Sequence, residues 1–146
     1  MKRIYLILIA LMVSGCNITS SSPSGSEILR DILESTNRYS INSCYDEVVE
    51  YIFYDDSYTK IFYEDESFGY IKDKISDKVE YIDSLNLKLH ENNITLDCGV
   101  QVKENNSVVL YCINEQYKDN PEYYHVKRTL YPTKDEAIAH ANEDCP

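Results

Sequence analysis

Tryptophan is missing from this chain altogether, and glycine and proline occur four times each among 146 residues. Scattered as they are, the glycines exclude a phosphate cradle, which needs small residues close together so that backbone N–H groups can approach the ligand. Nucleophile-elbow and zinc-protease patterns are likewise missing. Basic residues are scarce, 14 Lys and Arg against 25 Asp and Glu, for a formal net charge of -11. Nucleic acid and anionic head groups are therefore poor partners, whereas a cationic protein is attracted by the same field. No apolar run reaches the roughly 20 residues that a membrane-spanning helix requires.

What is present points to a folded domain. Hydrophobic residues make up 43% of the chain and charged residues 27%, a balance suited to a single core. Tyrosine is abundant at 14 copies, against three phenylalanines. A tyrosine can bury its ring and keep its hydroxyl wet, which suits it to binding surfaces.

At the amino terminus, Lys2 and Arg3 precede an apolar run from Ile4 to Val13 that is too short to span a bilayer. The run ends in Val13-Ser14-Gly15-Cys16, which resembles the lipobox of bacterial lipoproteins. The resemblance covers these first 16 residues only. It implies removal of residues 1–15, a diacylglycerol thioether on Cys16 and acylation of the new amine, commonly by palmitate. Two or three acyl chains give lasting anchorage, since each buried methylene contributes about 0.8 kcal/mol. Ordinary signal cleavage after Gly15 is the alternative. Cysteine parity favours lipidation, because with Cys16 set aside the other four, Cys44, Cys98, Cys112 and Cys145, can pair completely. Asn17 stands where enteric lipoproteins retained in the inner membrane tend to carry Asp, so the resemblance implies outer-membrane sorting. Loss of Lys2 and Arg3 with the signal makes the remainder more acidic still.

Residues 16–26 then form a lipidated cysteine and a Ser-rich tether, and 27–146 a single domain. Ser24 and Glu27 have capping-box spacing before Ile28, Leu29, Ile32 and Leu33, which predicts a helix over 27–36. Cys44, Tyr45, Val48, Val49, Ile52 and Phe53 predict a second over 43–54, although the β-branched and aromatic content also permits a strand. A short strand over 59–63 follows. Ile71, Ile75, Val79 and Ile82 predict a further helix.

The carboxy-terminal half alternates apolar and polar residues: Leu85, Leu87 and Leu89, then Ile94 through Val102. The segment LKLHENNI is echoed by VQVKENNS, each copy a strand running into a turn. A three-residue turn at Glu104 to Asn106 sets Val102 opposite Val108, Val100 opposite Leu110 and Cys98 opposite Cys112, all on one apolar face. A fourth strand spans 123–131, and Thr133 with Glu136 opens a final helix. The expected class is α+β: an antiparallel meander of about four strands packed with amino-terminal helices and a carboxy-terminal helix, stapled by disulfides.

An exported domain without a Cys-x-x-Cys pair uses its cysteines for disulfides. The hairpin register favours Cys98–Cys112, leaving Cys44–Cys145; pairing Cys98 and Cys112 separately to helices is the alternative. His90, His125 and His140 lie in no catalytic or metal motif. Asp55, Ser57, Thr59 and Glu66 match EF-hand positions, but Lys60 stands where that loop needs glycine, so no metal or cofactor is assigned.

Tyr45 to Tyr70 combines six tyrosines and eight acids with one lysine. From it come the candidate binding residues Tyr54, Asp55, Asp56, Tyr58, Tyr63, Glu64 and Asp65. The expected function is a noncatalytic protein-binding module, held at the membrane through Cys16. An inhibitor or immunity protein masking a basic hydrolase or toxin is one alternative, and an envelope assembly accessory another.

Overall fold

The computed structural model describes residues 22–141 and 143. Eight strands follow one another: β1 (Arg38–Asn42), β2 (Glu47–Tyr54), β3 (Ser57–Tyr63), β4 (Ile71–Tyr81), β5 (Asn86–Glu91), β6 (Ile94–Val102), β7 (Val108–Ile113) and β8 (His125–Leu130). They form one sheet in chain order, every neighbouring pair antiparallel. The first strand meets the residue just past the last at one bridge, where Tyr39 and Tyr131 exchange two backbone hydrogen bonds of 2.8 Å. The sheet is thus a nearly closed barrel, accompanied by α1 (Gly25–Glu34), α2 (Pro121–Tyr124) and α3 (Lys134–Ala139).

This overturns the α+β expectation of a four-stranded meander with several amino-terminal helices. The segments read as helices over 43–54 and from Ile71 to Ile82 contain β2 and β4. In β2 both faces are covered. Val49, Tyr51 and Phe53 point into the barrel, while Val48 and Glu50 lie under other segments, so the apolar/polar alternation of a half-buried strand disappears. β4 is misleading for the opposite reason: Asp77, buried on the inner side, takes a position where alternation calls for an apolar residue. Ile71, Ile75 and Val79 are spaced by four, which fits one face of a strand as well as a helix.

Elsewhere the pattern holds. Ser24 caps α1 in a full capping box with Glu27, and Thr133 accepts the Glu136 N–H at the start of α3. Register pairs Val102 with Val108, Val100 with Leu110 and Cys98 with Cys112, and the last pair is a disulfide facing the core. Closing its short loop stabilises by about 3 kcal/mol on the chain-entropy model. Cys44 is also disulfide-bonded; the Cys44–Cys145 pairing lies outside the described residues, as do Cys16 and residues 1–21. The two Glu-Asn-Asn copies diverge. Asn92 and Asn93 both take positive φ, 45° and 75°, as a tight two-residue hairpin requires, whereas only Asn106 does in the second copy.

Successive antiparallel turns alternate between the two ends of such a barrel. Turns 55–56, 82–85 and 103–107 share one end with α1, which lies across it. Leu29 and Leu33 of α1 are fully buried among the inward side chains of the strands. Arg30 pairs with Asp56 at 2.7 Å and covers the Tyr81 ring, and Arg38 donates to the carbonyls of Ile32 and Asn106. Gly25 is required by this seat, because a Cβ there would stand 2.9 Å from the Ser84 nitrogen. The far end carries the loops 43–46, 64–70, 92–93 and 114–124. A second cluster, Ile41, Val48, Phe68, Tyr131, Ala137 and Ala141, covers the outer side of β1 and β2 beneath α3.

Candidate functional site

At the far end three loops present side chains outward, each with its backbone fixed locally. In the first, the Asn42 side chain accepts the Cys44 N–H at 3.2 Å and Asp46 takes a positive φ, leaving Tyr45 exposed. The second loop, Glu64 to Tyr70, turns on Phe68, whose φ of 54° is unusual for a bulky residue. Phe68 is buried against Tyr63 and Tyr39, with ring centroids at 4.9 and 5.5 Å, and that packing sustains the strained backbone. Asp65 accepts both the N–H and the hydroxyl of Ser67, which lowers its pKa. Glu64, Asp65 and Glu66 are left in solvent, and Tyr70 is 73% exposed. The third loop joins β7 to β8. Asn114 and Asn120 cap its 3-10 turn (Glu115–Tyr117) and α2, and it carries Tyr117 and Tyr123, exposed, in ring contact at 5.8 Å.

The far-end rim thus offers Tyr45, Tyr70, Tyr117 and Tyr123 among acids from all three loops, with Lys118 the sole lysine in those loops. Exposed tyrosines on a fixed backbone supply contact area at small entropic cost.

Inside the barrel, toward the end where β5 finishes, lies a set of paired charges. Arg128 grips Glu91 with both guanidinium nitrogens, the second at 3.0 Å, and the Tyr58 hydroxyl donates to Glu91 at 2.8 Å. Lys60 stands 3.3 Å from Glu91 and 3.4 Å from Asp77. The Glu91 and Arg128 side chains are only 14% and 18% exposed. Burial alone would raise the Glu91 pKa, but the Arg128 hydrogen bond and charge, Lys60 and Tyr58 outweigh it and hold the carboxyl at about 2. Tyr51, fully buried, is pushed up to about 12 by desolvation. A carboxylate so strongly held is a poor proton acceptor at neutral pH. The cluster fastens four strands together, β3, β4, β5 and β8.

The candidate residues from the sequence fall in three places. Tyr54, Asp55 and Asp56 form the β2–β3 turn at the capped end. Tyr58 is buried in the barrel, in stacked contact with both Tyr51 and Phe53. Tyr63 is half-buried and donates to Glu50 at 2.6 Å, while Glu64 and Asp65 belong to the far rim. β3 separates the two acidic groups by about 20 Å, at roughly 3.3 Å per residue. The same strand parts Asp55 and Ser57 from Glu66, so the EF-hand spacing encloses no loop. Among the described residues no three His, Cys, Asp or Glu side chains converge to hold a metal ion. Sequence reasoning missed Tyr117 and Tyr123. Their signal was NEQYKDNPEYY, an acidic, tyrosine-rich segment with an Asn-Pro start for a helical turn.

No protein-family model matches the chain, and the searches of curated proteins and of solved structures find no match. Among the described residues no helix is long and apolar enough to cross a membrane, which says nothing of a β-barrel.

Proposed function

We propose that this chain is a lipid-anchored, noncatalytic protein-binding module of the bacterial cell envelope, tethered through Cys16 at the outer membrane and presenting its far-end rim to a cationic protein. One observation carries the reading: four exposed tyrosines and most of the loop acids lie at the end of the barrel opposite α1, where the amino-terminal tether enters. A molecule anchored at one end engages partners best with the other.

The locally fixed rim loops favour the inhibitor or immunity reading, in which a basic hydrolase or toxin is masked. A pre-organised surface loses little entropy on docking, which suits tight stoichiometric binding. The test is photocrosslinking in intact cells from probes placed at Tyr70 and Tyr123, with Lys88 and Asp97 on the barrel wall as controls. The expected result is capture of a basic protein from the rim positions only, diminished by salt. Equal capture from the wall would count against the rim. Fractionation of Cys16→Ser tests the anchor separately; a mutant still fully membrane-bound would refute lipidation there.

A further inference from the structure

β4 is longer than its neighbour β5. Their pairing begins at Lys78 opposite His90, so the stretch from Ile71 to Asp77 has β3 on one side and, among the described residues, no strand on the other. Backbone direction alternates along a strand, and its phase is fixed here. The Val79 N–H turns toward the β2–β3 side to reach the Asp56 carbonyl, and Lys78 turns toward β5. As far as the bulge that shifts the register between Phe62 and Tyr63, the amides and carbonyls of Lys74 and Ser76 therefore face the vacant side. In agreement, the Lys74 N–H is taken by the side chain of its own neighbour, Asp73, at 2.7 Å.

Three observations bear on what fits this edge. An open depression of about 730 Å3 lies where β5 would continue, with Ser76, Asp77 and Lys78 on one side and Asn92, Asn93 and Ile94 on the other. Tyr70 and Ile71 stand exposed at the start of β4, beyond the depression, 73% and 61%. Lys74 and Lys78 lie on the outer face of β4, and Lys72 is exposed at the bulge before them, a basic stretch on a chain of net charge -11.

We propose that the β4 edge from Ile71 to Asp77 is a strand-addition site for an extended segment of a partner protein carrying acidic side chains at alternate positions. The segment would continue the line of β5 along β4. Main-chain hydrogen bonds to Lys74 and Ser76 would hold it, and its acids would lie beside Lys74 and Lys78, with Lys72 nearby. Asp73 acts as a local guard that the segment displaces from the Lys74 N–H.

A blocked six-residue peptide of alternating glutamate and threonine, titrated into the 15N-labelled protein, tests this. Amide shifts confined to 70–78 and 92–95, with hydrogen exchange at Lys74 and Ser76 slowed at least tenfold, are expected. Asp73→Ala tightens binding by freeing the edge donor, and Lys72→Glu with Lys74→Glu weakens it at least tenfold. Lys103→Glu, at the capped end, leaves it unchanged. The same peptide with alternate backbone nitrogens methylated must lose binding. If it binds equally well, or if the shifts fall on α1 or the far-end loops, attraction is charge alone and strand addition is overturned.

Discussion

The two ends of the barrel are closed by different means. At one end α1 lays Leu29 and Leu33 into the opening, and its cost of ordering is offset by apolar burial. Toward the other, β5 finishes at Glu91, and the interior is filled by Lys60, Asp77, Glu91 and Arg128 rather than by aliphatic side chains. Apolar packing degrades gradually when trimmed. A buried ionic set is all or nothing, because removing one partner strands the others without water. The first end is a lid, and the second a clasp that frees the rim loops above it to be polar.

The largest expected effect breaks the clasp. Glu91→Ala leaves Arg128 and Lys60 uncompensated and should cost about 3–5 kcal/mol in urea unfolding. Replacing Glu91 by Leu and Arg128 by Met together should recover most of that loss; no recovery would mean the charges are individually required. At the lid, Leu33→Ala should cost about 3 kcal/mol, the range for a fully buried leucine. A loss below 1 kcal/mol would show that α1 is loosely seated.

Acid separates the two ends further. The Glu91 carboxyl lies at about 2 in the folded chain against an ordinary 4.5, so the stability it contributes is complete above pH 4.5 and lost as pH falls toward 2. Urea midpoints followed over that window should fall for the parent chain and fall much less for Glu91→Gln. Leu33→Ala should parallel the parent. The smallest effect is expected at the rim. Glu64→Lys, Asp65→Lys and Glu66→Lys together should change stability by less than about 0.5 kcal/mol each while abolishing capture of a cationic partner.

Legibility followed the same division. Wherever one face of a strand was apolar and the other wet, the reading was right: the strands β5, β6 and β7, the register of β6 on β7, and the Cys98–Cys112 pair. It failed at β2, where Tyr39, Phe68 and α3 bury the outer face, and at β4, where the clasp puts Asp77 inside. The acidic, tyrosine-rich stretch was rightly noticed as unusual in composition. Its residues were assigned to one surface because nothing in one dimension showed that β3 would carry half of them to each end.

By itself the sequence determined the caps of α1 and α3, the hairpin turns, the alternating strands of the second half and the acidity that bears on partners. Those depend on neighbours within a few residues or on totals. Only the tertiary structure decided that the meander extends to eight strands and nearly closes, that four charged side chains share the interior, and that the tyrosines of three loops meet at one rim. Each of these joins residues far apart in the chain, and their burial pattern becomes apolar, polar or mixed only once the partner that covers them is in place.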